Sequence, residues 1–287
     1  MKHKPWQHQS KGNDTFDAGR PKNKPRYRDN DESAPSDGPD WVFGVHAVEA
    51  ILKHNADSIQ QLLVLQGRSD QRLLPLLERA SRLGINVREV ERAELDERTG
   101  GVHQGIAALC EGLKLERSEG FLNQMLDGLE RPPFLLILDG VTDPHNLGAC
   151  LRSAEAAGVD AVIVPKDKSA LMTSTARKVA CGAAEIVPFV TVTNLARCIE
   201  ALKQRGVWVQ GAAGEATQSI YKTDLKGSLA IVLGSEGSGM RRLTRELCDG
   251  LFSIPMAGEV SSLNVSVSAG VSLFEAVRQR VAVKLPG

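Results

Sequence analysis

Residues 134–158, FLLILDGVTDPHNLGACLRSAEAAG, decide the fold. An apolar run of strand length, Leu135–Leu138, runs into a polar loop and then a helical segment over 147–157. Asp143 can cap that helix and Pro144 can occupy its first turn, where a missing N–H costs nothing. A strand followed by a loop and a helix is the repeating unit of a parallel sheet. The same unit recurs downstream. Strands are expected at Ala161–Val164, Ile186–Val190, Val207–Gln210, Leu229–Leu233 and Leu251–Ile254, with helices over 173–183, 194–205, 240–248 and 263–281. Such alternation predicts an α/β fold with a mostly parallel sheet covered on both faces, and ligands at the carboxyl ends of its strands.

Three strand-end loops carry candidate chemistry. The first, Asp139 to Gly148, leads to Arg152, one turn beyond Gly148. Helical side chains lean toward the N-terminus, so this guanidinium is expected to lie over a bare position that leaves a substrate room. The second, Gly234-Ser-Glu236-Gly-Ser-Gly239, precedes Arg241, Arg242 and Arg245. Its glycines allow positive φ and close approach of backbone to a ligand. It lacks the lysine of a phosphate-cradling loop, and Glu236 suits a neutral or cationic ligand. The third runs from Ile254 to Ser266, where Ser261 or Ser262 is expected to cap a long helix. On that helix Val267, Val271 and Phe274 form an apolar stripe, and Ser268, Ala269 and Ser272 a small-residue ridge. Taken singly, each loop also reads as an ordinary turn or cap.

Upstream of this region, order is expected from Trp41. A helix over 44–53, strands at Ile59–Leu65, Val87–Val90 and Gly105–Cys110, and a helix over Arg72–Leu83 make a small α/β unit of residues 41–111. Residues 112–133 read as a linker with one short helix over 121–129. Residues 1–40 read as a disordered charged tail, too poor in aliphatic side chains to offset chain entropy. Residues 1–28 hold eight Lys and Arg against two Asp, and residues 29–40 hold five acids and no base. The formal net charge of zero hides that asymmetry. Bulk charge therefore does not announce a nucleic-acid partner, and any such partner must be argued from local sites.

Hydrophobic residues make up 42% of the 287, enough for a buried core. No apolar run approaches the ~20 residues that span a bilayer. The five cysteines (Cys110, Cys150, Cys181, Cys198 and Cys248) are widely spaced with no paired motif. That pattern argues against a disulfide framework or zinc site and for a reducing cytoplasm.

Together the loops resemble a known family. Pro144-x-Asn146-x-Gly148-x-x-x-Arg152, Gly234-x-Glu236-x-x-Gly239, and Ile254-Pro255-Met256 with Ser262-Leu263-Asn264-Val265-Ser266 resemble, in order and spacing, the three motifs of the SpoU-type (SPOUT superfamily) RNA 2′-O-ribose methyltransferases. The likeness runs from about residue 41 to the C-terminus and leaves the tail without a counterpart. It is strongest to the branch that methylates one guanosine in the peptidyl-transferase region of 23S rRNA. The resemblance implies an α/β trefoil knot over 134–287, an L30e-like RNA-binding unit over 41–111, and a cytoplasmic homodimer with active sites near its interface. It implies S-adenosylmethionine as cofactor, no metal, and 23S rRNA or a large-subunit assembly precursor as partner. Carried onto this sequence, it makes Arg152, Asn146, Glu236, Ser262 and Asn264 catalytic. Gly234, Ile254 and Leu263 would hold the cofactor, with Pro255 and Met256 lining its pocket. Arg152 would act as an electrostatic clamp or, if desolvated, a transient base. The competing readings are a tRNA ribose methyltransferase of the same family, a non-catalytic RNA-binding or assembly protein, and a nicotinamide dehydrogenase. The last is opposed by the missing G-x-G-x-x-G fingerprint.

Overall fold

The computed structural model describes residues 40–67, 71–100, 103–111 and 115–282. The expected tail lies outside the described residues except for Asp40. The smaller layer contains β1 (Asp40–Phe43), α1 (Val45–His54), β2 (Ile59–Leu65), α2 (Leu74–Arg82), β3 (Asn86–Val90), α3 (Arg92–Thr99) and β4 (Ile106–Cys110). Its sheet runs β1-β4-β2-β3, with only β2 and β3 parallel. Val48, Ile51 and Leu52 of α1 meet Leu62, Val64, Ile106 and Ala108 of the sheet in one buried cluster. Two elements were not expected from the sequence. β1 is only four residues long and pairs with β4, about 65 positions on, with Trp41 opposite Leu109. α3 buries Leu95 alone, so it has no apolar stripe to betray it.

The second layer begins inside the expected linker. It contains β5 (Glu116–Arg117), α4 (Glu119–Asp127), β6 (Phe134–Asp139), α5 (Pro144–Ala156), β7 (Ala161–Pro165), α6 (Ser174–Ala180), β8 (Phe189–Val192), α7 (Leu195–Gln204), β9 (Trp208–Ala212), β10 (Leu229–Gly234), α8 (Arg242–Leu247), β11 (Gly250–Phe252) and α9 (Val265–Ala282). The strands form one sheet in the order β11-β9-β10-β6-β7-β8-β5, and every pairing is parallel. The two-residue β5 has no apolar side chain and adds to the edge at β8, so residues 116–127 belong to this sheet rather than to a free connector.

Side chains alternate along each strand, and this splits the core. On one face Leu136 and Leu138 of β6 pack with Leu147, Leu151, Ile231 and Leu273. On the other, Leu135 and Ile137 pack with Leu122, Ile199, Leu202 and Val232. The sheet is thus covered on both faces, as the alternation predicted.

Three local expectations need correction. The strand expected at Ile186–Val190 starts at Phe189, because a left-handed Gly182 and a 3₁₀ turn over Ala183–Glu185 use up the preceding residues. That turn buries Glu185 in an ion pair with Arg177, Nε to Oε1 3.3 Å. The helix expected over 173–183 ends at Ala180, where Cys181 adopts left-handed backbone. On α9 the buried face carries Val265, Ala269, Leu273 and Ala276. Of the expected stripe of Val267, Val271 and Phe274, the first and last face outward, each about half exposed, and Val271 is partly buried.

Candidate active site

β6 and β10 lie side by side at the centre of the sheet, with Asp139 opposite Gly234 at their carboxyl ends. The loops that leave them therefore start as neighbours. The first is fixed as expected: the Asp143 side chain accepts from His145 N at 2.9 Å, and Pro144 stands at the start of α5. This places Asn146 in the first helical turn.

The second loop folds back on itself. Ser235 and Gly239 exchange backbone hydrogen bonds of 2.9 and 3.1 Å. A Cβ on Gly234 would lie 2.0 Å from Gly239 C and 2.1 Å from Met240 N. Gly234 thus makes room for the loop's own return. The buried carboxylate of Asp139 then pins the loop's far end, accepting from Arg241 N at 2.7 Å.

Asn264 caps α9, in place of the expected Ser261 or Ser262. Its Oδ1 accepts from Ser266 N at 2.9 Å and from Ser266 Oγ at 2.6 Å. Its Nδ2 is free to point across the loops, donating to Asn146 Oδ1 at 2.9 Å and to Glu236 Oε1. Glu236 Oε1 also accepts from Asn146 Nδ2 at 3.2 Å and from Val265 N at 3.3 Å. One carboxylate oxygen thus gathers donors from the first and third loops. These groups are exposed, so solvent screens each contact, but together they tie the three loops to one carboxylate.

Beside it opens a cavity of about 390 Å³, lined by Gly234, Glu236, Ile254, Met256, Ser262 and Leu263 among others. That is within the ~300–1,000 Å³ of cofactor sites. Leu233, Met240 and Phe252 add apolar wall. Pro255 is exposed beside the cavity and is not among its lining residues. A fourth wall, from Ala212 at the end of β9 to Glu215, and Arg245 of α8 carry no motif that marks them in the sequence. Both follow once β9 is known to neighbour β10, since the loops of adjacent strands share one end of a parallel sheet.

Arg152 stands apart. It is six residues beyond Asn146 on α5, which turns it about 120° away around the helix. Its Nη1 donates to Cys181 Sγ at 3.5 Å, in a cleft shared with His46 and Lys53 of α1. It touches neither Asn146 nor Glu236. The position over Gly148 is not open either: a Cβ there would meet Ala176 O at 2.5 Å and the Val179 Cβ at 2.7 Å. Gly148 is the point where α5 and α6 close on each other. Gly148→Ala is expected to cost about 1–3 kcal/mol of stability by overpacking, read as a lower urea midpoint with unchanged slope.

Four thiols are chemically quiet. Burial pushes Cys110, Cys150, Cys198 and Cys248 up to about 12, with the Glu236 charge adding to the effect at Cys150. None of the four is a nucleophile at neutral pH.

The family model described as the SpoU rRNA Methylase family matches residues 133–274. A second, described as RNA 2′-O ribose methyltransferase substrate binding, matches residues 41–115. Over 242 residues the chain is 59% identical to the 23S rRNA (guanosine-2′-O-)-methyltransferase RlmB of Vibrio cholerae, covering 84% of this chain and 97% of that one. A crystal structure of an RNA 2′-O ribose methyltransferase superposes with a TM-score of 0.68 at 27% identity, over 85% of this chain and 89% of the other. The SpoU methyltransferase AviRb from Streptomyces viridochromogenes, solved with the cofactor AdoMet, shares the fold with a TM-score of 0.68 at 24% identity, over 85% and 91% of the two chains.

Proposed function

This chain belongs to the SpoU rRNA methylase family, and from that membership we propose that it methylates the ribose 2′-oxygen of one guanosine in 23S rRNA, using S-adenosylmethionine. The observation that carries the reading is the meeting of Glu236, Asn146 and Asn264 at the edge of one cavity. We assign RNA recognition to residues 41–111 and the chemistry to 134–287, the latter as the trefoil knot expected of the family. Action on ribosomal RNA fits the cytoplasmic location expected from the cysteines.

The cavity residues suit the cofactor. Leu233, Phe252 and Ile254 would offer apolar wall to a purine, and two carboxylates, Glu215 and Glu236, line the cavity that would take a ligand carrying a sulfonium. When bound, that cofactor supplies an electrophilic methyl group whose departure neutralises the sulfonium. The chain's own contribution is alignment and electrostatics. Backbone groups at Gly234, Ile254 and Leu263 would hold the adenosine end, and Met256 would cover it. Glu236 keeps Asn146 and Asn264 in place, and Ser262 shapes the acceptor side. Arg152 offers a planar fork of N–H donors, so we assign it to clamping phosphate and stabilising the alkoxide that develops at the 2′-oxygen.

In one chain Arg152 faces the cleft beside α1 and not the cavity. We take the site to be completed in a homodimer, where a second copy brings the two together. Val267, Phe274 and Val281, seven residues apart on α9 and each about half exposed, offer the apolar stripe such a dimer would bury. Sedimentation equilibrium should give twice the chain mass.

The function is tested by mapping ribose methylation in total RNA with and without the protein, and by assaying purified protein on naked 23S rRNA and on a large-subunit assembly precursor. One guanosine, expected in the peptidyl-transferase region, should lose its 2′-O-methyl group in the deletion strain. Loss from a tRNA instead would transfer the assignment to the other branch of the family.

A further inference from the structure

Glu215 and Arg245 form an ion pair at the wall of the cavity, from the loop after β9 to α8. Their side chains are 55% and 42% exposed. A pair this open to water contributes little to stability, ~0–1 kcal/mol. Glu215 sits on a tight turn, with Ala216 N donating to Ala213 O at 3.0 Å, and Ala213 N is tied to Phe252 O at 2.9 Å. The carboxylate is thus presented by an anchored backbone.

Among the described lining residues Arg245 is the one cation, and Glu215 and Glu236 are the two anions. Glu236 is engaged by the first and third loops. S-adenosylmethionine is the mirror of this set: two cations, the sulfonium and the α-ammonium, and one carboxylate. We propose that Glu215 and Arg245 form the subsite for the amino-acid end of the methyl donor, Arg245 taking its carboxylate and Glu215 its ammonium. Ligand entry exchanges the protein's own ion pair for two pairs of the same kind. Arg245 suits the task because its planar fork matches a carboxylate. The inference rests on the function proposed above and names the part of the cavity that recognises the donor's charged end.

Calorimetric titration separates this from a purely structural latch. The probes are S-adenosylhomocysteine, which keeps the amino-acid end, and 5′-methylthioadenosine, which lacks it. Glu215→Gln and Arg245→Gln should each weaken the first by at least about tenfold and leave the second within about twofold. The exchanged double variant, Glu215→Arg with Arg245→Glu, restores an ion pair but not the order of charges, and should stay weak for S-adenosylhomocysteine. Equal loss of both ligands, no loss of either, or recovery in the exchanged variant would overturn the subsite. Failure of the wild-type protein to bind either S-adenosylmethionine or S-adenosylhomocysteine would instead overturn the proposed function.

Discussion

Arg152→Ala should lower methyl transfer by at least ~10²–10³-fold, the usual cost of removing one group aimed at a developing oxyanion. Affinity for S-adenosylmethionine should stay within about threefold, because the side chain lines a separate cleft and not the cavity. Tritium transfer from labelled donor into 23S rRNA reads the first quantity, and isothermal titration reads the second. The folded state should survive. Arg152 is exposed, and its described polar partner is the Cys181 sulfur, a weak acceptor. Turnover like that of the wild type would remove Arg152 from the mechanism.

Gly234→Ala should act in the opposite way and abolish donor binding. The added methyl group would meet backbone atoms at 2.0–2.4 Å. No rotamer change relieves a clash with backbone, so the returning limb of the second loop must move. That limb carries Met240 and, through Arg241, the tie to Asp139. Glu236 lies between the two points that shift, and with it the contacts to Asn146 and Asn264. A loss of at least ~100-fold in donor affinity is expected, with about 1–3 kcal/mol of stability. Titration beside urea denaturation measures both. Affinity within a few-fold of wild type would show that the loop's return is not needed for the cavity.

Much of the frame that carries this site is legible in the sequence. Leu135–Leu138 and Leu229–Leu233 were readable as buried strands because each is a short aliphatic run bounded by turn residues. Asp143 and Pro144 marked a helix start with their own chemistry. What stayed hidden is non-local. Nothing in residues 229–234 says that β10 inserts between β6 and β9, and without that neighbourhood Glu215 and Arg245 look like scattered surface charges. α9 misled for another reason. It is apolar on two sides, so periodicity alone could not tell the face against α5 from the face that carries Phe274. The cap went to Asn264 rather than a serine because its amide both accepts from the helix start and donates to Glu236, which no hydroxyl does with the same reach.

The central pairing of the large sheet joins Phe134 to Leu229 and Leu138 to Leu233. Those partners are some ninety-five positions apart, so loop closure must be completed before the contact repays it. During synthesis β6 waits for its neighbour until most of the chain has left the ribosome. Its flanks can be shielded early by β7 and α5, but the edge that will receive β10 stays bare. Refolding from denaturant should accordingly be slow, as in other topologies dominated by non-local pairings. The chain is therefore most exposed to aggregation while it is itself still a nascent product.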